Sequence, residues 1–278
     1  MAVIKTPKMK NIICLSGSSG SVNTFLLVAV SILFTIRAFG QPSGRIVVTN
    51  PISWASYSGN IKVSDRLAVF YDEQFRMAGS TQATKGYEMM QNLLRTHLDV
   101  EINKKLSFAP IGYARVNNHL YGKQPATIIN QEHRIYQQLT YKHTFKKTNF
   151  QHRLRTEERF IQDHSTLGED LGYINKQFRI RYRVMATTPL NKEKVEAGAI
   201  SSVLFYEGFM SRGSRITFHD VDQSRLFGGF AYQATSKISV SFGYYYQMLV
   251  KSNGAKQENN VGTLLMVTHN FDLSKKED

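Results

Sequence analysis

Residues 177–184 read Gln-Phe-Arg-Ile-Arg-Tyr-Arg-Val, with apolar and polar side chains in strict alternation. Successive side chains of a β-strand point to opposite faces, so this period of two predicts a strand with one apolar face and one arginine face. Residues 238–248 and 94–101 repeat the alternation. Similar stretches follow one another from about residue 44 onward, with turn residues between them. The sequence therefore predicts an all-β fold.

The length of the predicted strands separates two β architectures. The strands are roughly 11–15 residues long, whereas strands of soluble proteins average about 5–6 residues. A tilted strand that crosses a membrane needs about 9–11 residues. The connections alternate between short turns and longer loops, which in bacterial outer-membrane barrels are periplasmic and extracellular respectively. We expect a single transmembrane antiparallel up-and-down β-barrel, and a soluble β-sandwich is the alternative.

The strand number follows from the same pattern. Eleven strands are predicted, at about 52–62, 66–77, 87–101, 105–117, 131–145, 149–161, 174–186, 198–209, 225–234, 238–250 and 259–272. Single-chain bacterial barrels usually have an even number of strands. A further strand at 44–50 gives twelve and places both termini on the periplasmic side, with Asn50-Pro51 as a very short extracellular turn. Twelve strands are expected, and ten is the alternative.

The first 40 residues differ from the rest of the chain. They contain four basic and no acidic residues, an apolar run at 25–36 and the small residues of Ala38-Phe39-Gly40. This order is typical of a secretory signal peptide, within which Met9 is an alternative start. We expect residues 1–40 to be a signal peptide and residues 41–278 to form a barrel in the outer membrane of a Gram-negative bacterium. The single cysteine, Cys14, falls in the signal, so the mature chain has no disulfide.

The chain is basic, with 35 Lys and Arg against 21 Asp and Glu and a formal net charge of +14. Removing the four basic residues of the signal lowers the charge to +10. An exported protein rarely meets nucleic acid, so no nucleic-acid partner is expected. The expected partners are outer-membrane lipids, lipopolysaccharide and a small anionic solute, with the protein as a monomer.

Charged residues are concentrated on one face of two neighbouring strands and on the strand that follows them. They form a predicted ladder of Arg153, Arg155, Glu157, Arg159, Arg179, Arg181, Arg183 and Glu207, and Arg134 and Lys142 are expected to join it. Arg or Lys on a lipid face costs about 2–4 kcal/mol near the bilayer midplane, so the ladder is expected to face the lumen. Glu73 and Glu158 fall on the opposite face, which implies a bulge or a position near an interface.

The ladder has two interpretations. In the first, the charges pair across strands and fill a narrow lumen as a structural lattice. In the second, the excess of arginine forms a path or a site for anions, because rings of basic side chains favour anions. Either interpretation makes the protein a structural or small-solute barrel, porin-like in the second case.

Four segments resemble a known family in the same order along the chain. They are Tyr71–Arg76, His152–Phe160, Arg179–Arg183, and Asp222–Leu226 leading to Gly243–Gln247. Together they are similar to the uncharacterised Bacteroidota outer-membrane proteins grouped as domain-of-unknown-function family 2490. The resemblance covers nearly all of the mature chain. It implies an outer-membrane barrel and implies no reaction.

A lipid-modifying enzyme with its site at the extracellular rim is the alternative function. His164, Ser165 and His219 lie in long loops, where a histidine base and a serine nucleophile would have to meet. No lipase-like motif surrounds a serine, and no zinc, EF-hand, phosphate-loop or dinucleotide spacing is present. The sequence therefore assigns no catalytic residue, no metal and no cofactor.

Aromatic side chains are expected on the outer surface of the barrel. The candidates are Trp54, Tyr57, Tyr71, Tyr113, Tyr141, Tyr182, Tyr244 and Tyr246. Tyr and Trp collect at membrane–water interfaces, so the sequence predicts interfacial and lipid-facing residues rather than a ligand cage.

Overall fold

The structure is a computed structural model that describes residues 44–79, 86–119, 130–165, 167–218 and 221–274. The predicted signal peptide therefore lies outside the described residues. The strands are β1 (Ile46–Lys62), β2 (Leu67–Gly79), β3 (Tyr87–Asn103), β4 (Leu106–Asn118), β5 (Asn130–Phe145), β6 (Thr148–His164), β7 (Asp170–Pro189), β8 (Ile200–Gly213), β9 (Val221–Gln233), β10 (Ile238–Val250), β11 (Lys256–His269) and β12 (Phe271–Asp272). In these ranges no helix is long and apolar enough to cross a membrane.

Eleven of the strands close into one barrel, which confirms the predicted all-β barrel. Each strand from β2 to β10 pairs antiparallel with the strands before and after it in the chain. The barrel closes between β1 and β11, which pair in parallel from Ile46 with Lys256 to Ser58 with Thr268. The two-residue β12 pairs with the end of β1, beyond the last residue of β11.

The predicted division of the first segment into two strands is wrong. Residues 46–62 form one continuous strand, and Asn50 and Pro51 lie within it rather than in a turn. Proline lacks a backbone N–H, so it is tolerated where a strand has no neighbour on one side. The pairing of β1 with β2 begins only at Ile52, so Pro51 is paired with β11 alone, although its ring lies against Gly79 of β2.

Because the barrel has an odd number of strands, the start of β1 and the end of β11 lie at opposite ends of the barrel. One end of the barrel carries the connections 63–66, 104–105, 146–147, 190–199 and 234–237, and we name it the turn end. The other end carries 80–86, 119–129, 165–169, 214–220 and 251–255, and we name it the loop end. Because β1 and β11 are parallel, β1 begins at the loop end and β11 ends at the turn end. The expectation that both lie at the turn end is wrong.

The two faces of the sheet have opposite chemistry. Large apolar side chains are exposed on the outer face, among them Leu94, Leu154, Phe178, Leu204 and Phe230, each 41% or more exposed. Charged and polar side chains alternate with them along the same strands and are buried on the inner face. The alternation is therefore inverted relative to that of a soluble sandwich, which buries its apolar face.

A smaller apolar cluster shares the lumen with the polar side chains. It consists of Ile52, Trp54, Val203, Phe205, Phe227, Tyr245 and Leu264. The rings of Trp54 and Tyr245 meet edge to face, with centroids 4.9 Å apart. The prediction that Trp54 lies on the outer surface is wrong, whereas Tyr57, Tyr113 and Tyr244 are exposed there. The interior of the barrel is thus packed with both ionic and apolar side chains.

Candidate functional site

The structure places all eight residues of the predicted ladder on the inner face of β6, β7 and β8. In the register of β6 and β7, Arg153 is opposite Arg183, Arg155 is opposite Arg181, and Glu157 is opposite Arg179. Glu207 on β8 is opposite Arg183 on β7. The intervening side chains Leu154 and Ile180 are exposed on the outer face, so strict alternation directs the charges inward.

Two carboxylates on this wall hold most of the ladder together. Glu157 accepts from Arg179 Nε at 2.9 Å and from Arg181 Nη1 at 2.5 Å. Glu207 accepts from Arg153 Nη2 at 2.5 Å and Arg181 Nη2 at 2.9 Å. Arg181 therefore bridges Glu157 on β6 and Glu207 on β8 from its place on β7. Charge-assisted hydrogen bonds of this kind are about twice as strong as neutral ones.

Glu207 has a third basic neighbour, which sequence reasoning missed. Arg225 Nη1 on β9 lies 3.5 Å from Glu207 Oε2. Arg225 is opposite Glu207 in the register of β8 and β9, and its side chain also lies over the ring of Trp54, with its guanidinium carbon 5.3 Å from the ring centroid. One carboxylate thus holds arginines from three strands.

Two further carboxylates bind arginines inside the barrel. Glu132 on β5 accepts from Arg134 at 2.7 and 2.9 Å and from Arg159 Nη2 at 3.0 Å. Asp72 on β2 accepts from Arg95 Nε at 3.0 Å. Sequence reasoning missed both carboxylates, although each alternates with outward-facing residues. We name the four carboxylates and their eight arginine partners the charge lattice: Asp72, Glu132, Glu157 and Glu207 with Arg95, Arg134, Arg153, Arg155, Arg159, Arg179, Arg181 and Arg225.

Two more lumen arginines have no carboxylate oxygen within 4.0 Å among the described residues. Arg76 packs on the ring of Trp54 at 4.0 Å and donates to Gln74 and Gln91. Arg183 donates to Gln151. With these two, ten arginines outnumber the four lattice carboxylates, so the centre of the lumen has a positive excess. Two other inner-face carboxylates, Asp222 and Glu258, lie nearer the loop end, and Glu258 is paired there with Lys251.

The remaining charged residues that the sequence singles out have different locations. Arg134 belongs to the charge lattice, but Lys142 lies at the turn end, where it lines a surface cavity. Glu73 and Glu158 are exposed on the outer face, and no register shift occurs at either residue. The bulge that was considered for them is therefore not present, and Glu73 lies midway along β2.

The centre of the lumen is filled by side chains. Arg155 and Glu157 are each 1% exposed, and Arg155 lies over the ring of Tyr136 at 4.2 Å. Two separate cavities lie on either side. The turn-side vestibule lies towards the turn end, is lined by residues that include Arg183 and Phe205, and has a volume of about 400 Å³. The loop-side vestibule lies towards the loop end, is lined by residues that include Gln91 and Asp222, and has a volume of about 430 Å³. The most buried residues of the charge lattice thus lie between two vestibules.

The rim residues of the enzyme alternative do not form a catalytic pair in the part of the chain that is described. The Ser165 hydroxyl accepts hydrogen bonds from the backbone N–H groups of Leu167 and Glu169, so it stabilises a turn. No hydrogen bond joins Ser165 to His164 there, and His219 lies outside the described residues. The described ranges also contain no group of three or more His, Cys, Asp or Glu side chains able to hold a metal ion.

Comparison with known proteins identifies a family for this arrangement. The model of the family described as Protein of unknown function (DUF2490) matches residues 52–259, which run from β1 into β11 and include the whole charge lattice. No curated protein matches the chain. No solved structure matches it either. Because the matched residues make up most of the sequence, the chain belongs to the DUF2490 family.

Proposed function

We propose that this protein is an integral β-barrel of the outer membrane of a Gram-negative bacterium of the Bacteroidota, and that its lumen is closed rather than open. The signal peptide at residues 1–40 exports the chain, which stands as a monomer in contact with outer-membrane lipid and lipopolysaccharide. The loop end faces the outside of the cell and the turn end faces the periplasm. The observation that most strongly supports this proposal is the distribution of side chains along the strands, which places apolar residues on the outer face and charged residues on the inner face.

The outer face supports a lipid environment. Apolar side chains are exposed on the outer face of strands around the barrel, with Leu98, Ile135, Leu139, Leu226 and Phe242 between 37% and 58% exposed. A soluble monomer rarely exposes an apolar patch of more than a few hundred Å². Burying this surface in lipid is favourable, whereas the charged inner face would be costly there.

Aromatic and histidine side chains near the barrel ends fit the two membrane interfaces. Near the turn end, His152 and Tyr182 share a hydrogen bond of 2.7 Å on the outer face of β6 and β7. Tyr57 and His269 share one of 3.0 Å at the seam of β1 and β11. Such side chains combine an apolar body with a polar tip, which suits the headgroup region.

Cell fractionation tests the location. Expressed with its own residues 1–40 in a Gram-negative host, the protein is expected in the outer-membrane fraction and in solution only with detergent. Its gel mobility is expected to change on boiling, as a closed barrel unfolds. A protein recovered from the periplasm without detergent would contradict the proposal.

The closed lumen is tested by electrical recording. The wild-type protein in planar bilayers is expected to give no conductance steps, because Tyr136, Arg155 and Glu157 fill the centre. The double variant Tyr136→Ala, Arg155→Ala removes two packed side chains and is expected to conduct, which shows that the assay detects an opened barrel. Anion-selective steps from the wild-type protein would instead support passage of anions through the arginine-lined lumen.

Glu73 provides a test of the lipid environment at a single position. Its carboxylate lies on the outer face midway along β2, between Tyr57 and Leu94 in register. Acidic residues at the lipid face cost less than the about 2–4 kcal/mol of Arg or Lys. Glu73→Leu is therefore expected to raise the free energy of unfolding in lipid vesicles by about 1–2 kcal/mol. The measurement is a guanidinium titration followed by the fluorescence of the single tryptophan.

The sign of the change in the free energy of unfolding distinguishes a lipid environment of the outer face from an aqueous one. If the outer face were in water, a new exposed leucine would bring no gain and would favour aggregation. An unchanged or lower midpoint for Glu73→Leu would thus count against the membrane location. Ser53→Leu on the outer face of β1 tests whether any added leucine stabilises the barrel, since it removes no charge.

A further inference from the structure

The turn-side vestibule has one apolar wall. Trp54, Phe205 and Leu264 of the apolar cluster line it together with Met185 and Met266. These side chains come from β1, β7, β8 and β11, so the wall follows one side of the barrel. Methionine side chains adapt their shape to an irregular apolar partner. The wall is thus suited to the apolar part of a ligand rather than to water alone.

The same vestibule has a charged wall on which five arginines outnumber two carboxylates, Asp72 and Glu207. Arg183 lines the cavity and donates from Nη2 to the amide oxygen of Gln151 at 2.7 Å. Its buried Nε has no hydrogen-bond partner among the described residues. Arg153, which is opposite Arg183 in register, has only Glu207, and Glu207 is shared with Arg181 and Arg225.

Arg183, which has no carboxylate partner among the described residues, and Arg153 opposite it together favour an anion. Arginine stays protonated in proteins, so Arg183 and Arg153 do not relieve their repulsion by losing a proton. Like charges directly opposite each other in a sheet are destabilising. A carboxylate accepts two parallel hydrogen bonds from a guanidinium and would supply the missing negative charge.

We infer that the turn-side vestibule binds an amphiphilic monocarboxylate, with its carboxylate on Arg183 and Arg153 and its hydrocarbon chain against Trp54, Phe205 and Met185. The inference rests on the closed lumen of the proposed function, because the charge lattice forms the floor of the vestibule. A volume of about 400 Å³ is sufficient for a small ligand, since sites of this kind are typically about 300–1,000 Å³. Val195, from the connection of β7 and β8, also lines the cavity.

The ligand class follows from the pairing of the two walls. An inorganic anion would satisfy the arginines and leave the apolar wall in water. A neutral alcohol of the same chain length would cover that wall and leave the arginines unpaired. Only a ligand with both parts uses both walls, so chain length and charge should each contribute to its affinity.

Fluorescence of Trp54 tests the inference directly, because it is the only tryptophan and lies in the vestibule wall. The full-length mature protein in phosphatidylcholine nanodiscs is titrated with decanoate, acetate, decanol and inorganic phosphate. Decanoate is expected to change the fluorescence saturably, with at least tenfold higher affinity than the other three probes. Arg183→Gln is expected to weaken decanoate binding at least tenfold, because it removes a charge-assisted hydrogen bond.

Arg115→Gln is the matched control, because Arg115 is exposed on the outer face of β4. This variant is expected to bind decanoate like the wild type, with the same partitioning of decanoate into the lipid. Equal affinity of Arg183→Gln and wild type, equal affinity for decanol and decanoate, or no saturable change would overturn the inference. Tighter binding of inorganic phosphate than of decanoate would overturn the ligand class. Fractionation and conductance report separately on the proposed function, so the two failures are distinguishable.

Discussion

Glu207→Gln is expected to lower the free energy of unfolding by about 3–5 kcal/mol, because it leaves three buried arginines around a neutral side chain. Glu207 is 3% exposed and is the carboxylate partner of Arg153, Arg181 and Arg225. Glutamine keeps the shape of glutamate, so the loss measures charge rather than packing. The measurement is guanidinium unfolding in lipid vesicles followed by the fluorescence of Trp54, which lies against the lattice.

The matched control for this change is Glu158→Gln. Glu158 has the same chemistry but is exposed on the outer face of β6, so its substitution is expected to shift the free energy of unfolding by less than about 1 kcal/mol. Arg155→Gln is expected to have a smaller effect than Glu207→Gln, because it removes a positive charge from a lattice that already has an excess. Equal midpoints for Glu207→Gln and wild type would show that the lattice does not stabilise the barrel.

Gly262→Ala is expected to prevent closure of the barrel. A Cβ atom at Gly262 would lie 1.7 Å from the carbonyl oxygen of Ile52, across the parallel pairing of β11 and β1. The obstructing atom belongs to the backbone, which does not turn away as a side chain does. The loss is therefore expected to exceed the about 1–3 kcal/mol typical of an overpacked core. The measurement is the fraction of protein that shows the compact, unboiled gel mobility.

Gly208→Ala on β8 is the control for Gly262→Ala, because it adds the same methyl group away from the parallel pairing of β1 and β11. The nearest atom to a Cβ at Gly208 is Cε1 of Tyr206 at 3.6 Å, which is ordinary van der Waals contact. This variant is expected to keep the compact mobility. If Gly262→Ala folds as fully as Gly208→Ala, the close parallel approach of β1 and β11 is wrong.

The barrel and the inward direction of its charges could be predicted because they depend on local alternation. Along most of β6 and β7 the inward positions are polar or charged, apart from apolar residues such as Ile161 and Met185. Outward neighbours such as Leu154 and Ile180 are apolar. On β1 the two faces are mixed: Trp54 shares the inner face with Ser56, while Tyr57 lies on the outer face. The alternation of polar and apolar residues does not distinguish the two faces of such a strand, so the sequence predicts Trp54 on the outer face although it lies on the inner face.

The ion pairs of the lattice depend on the three-dimensional register. Asp72 and Arg95 are 23 residues apart, and Arg153 and Glu207 are 54 apart. Their meeting depends on how β2 pairs with β3 and how β7 separates β6 from β8, which no local pattern specifies. The predicted strand number is wrong for a different reason. The dipeptide Asn50-Pro51 is typical of a turn, but in the structure it lies within β1, at a position that does not pair with β2.

The parallel pairing of β1 and β11 also has a consequence for how the polypeptide would cross a bilayer in the location that we propose. Strands joined by short turns can enter in antiparallel pairs, each pair returning the chain to the side from which it came. If each of the eleven barrel strands crosses the membrane, one strand is left without an antiparallel partner for insertion, because β1 runs in the same direction as β11. In a membrane, the polar segment before Ile46 has to be translocated to the far side while the segment after Asp272 is retained. Epitopes attached at these two positions would therefore be accessible from opposite sides of the same membrane.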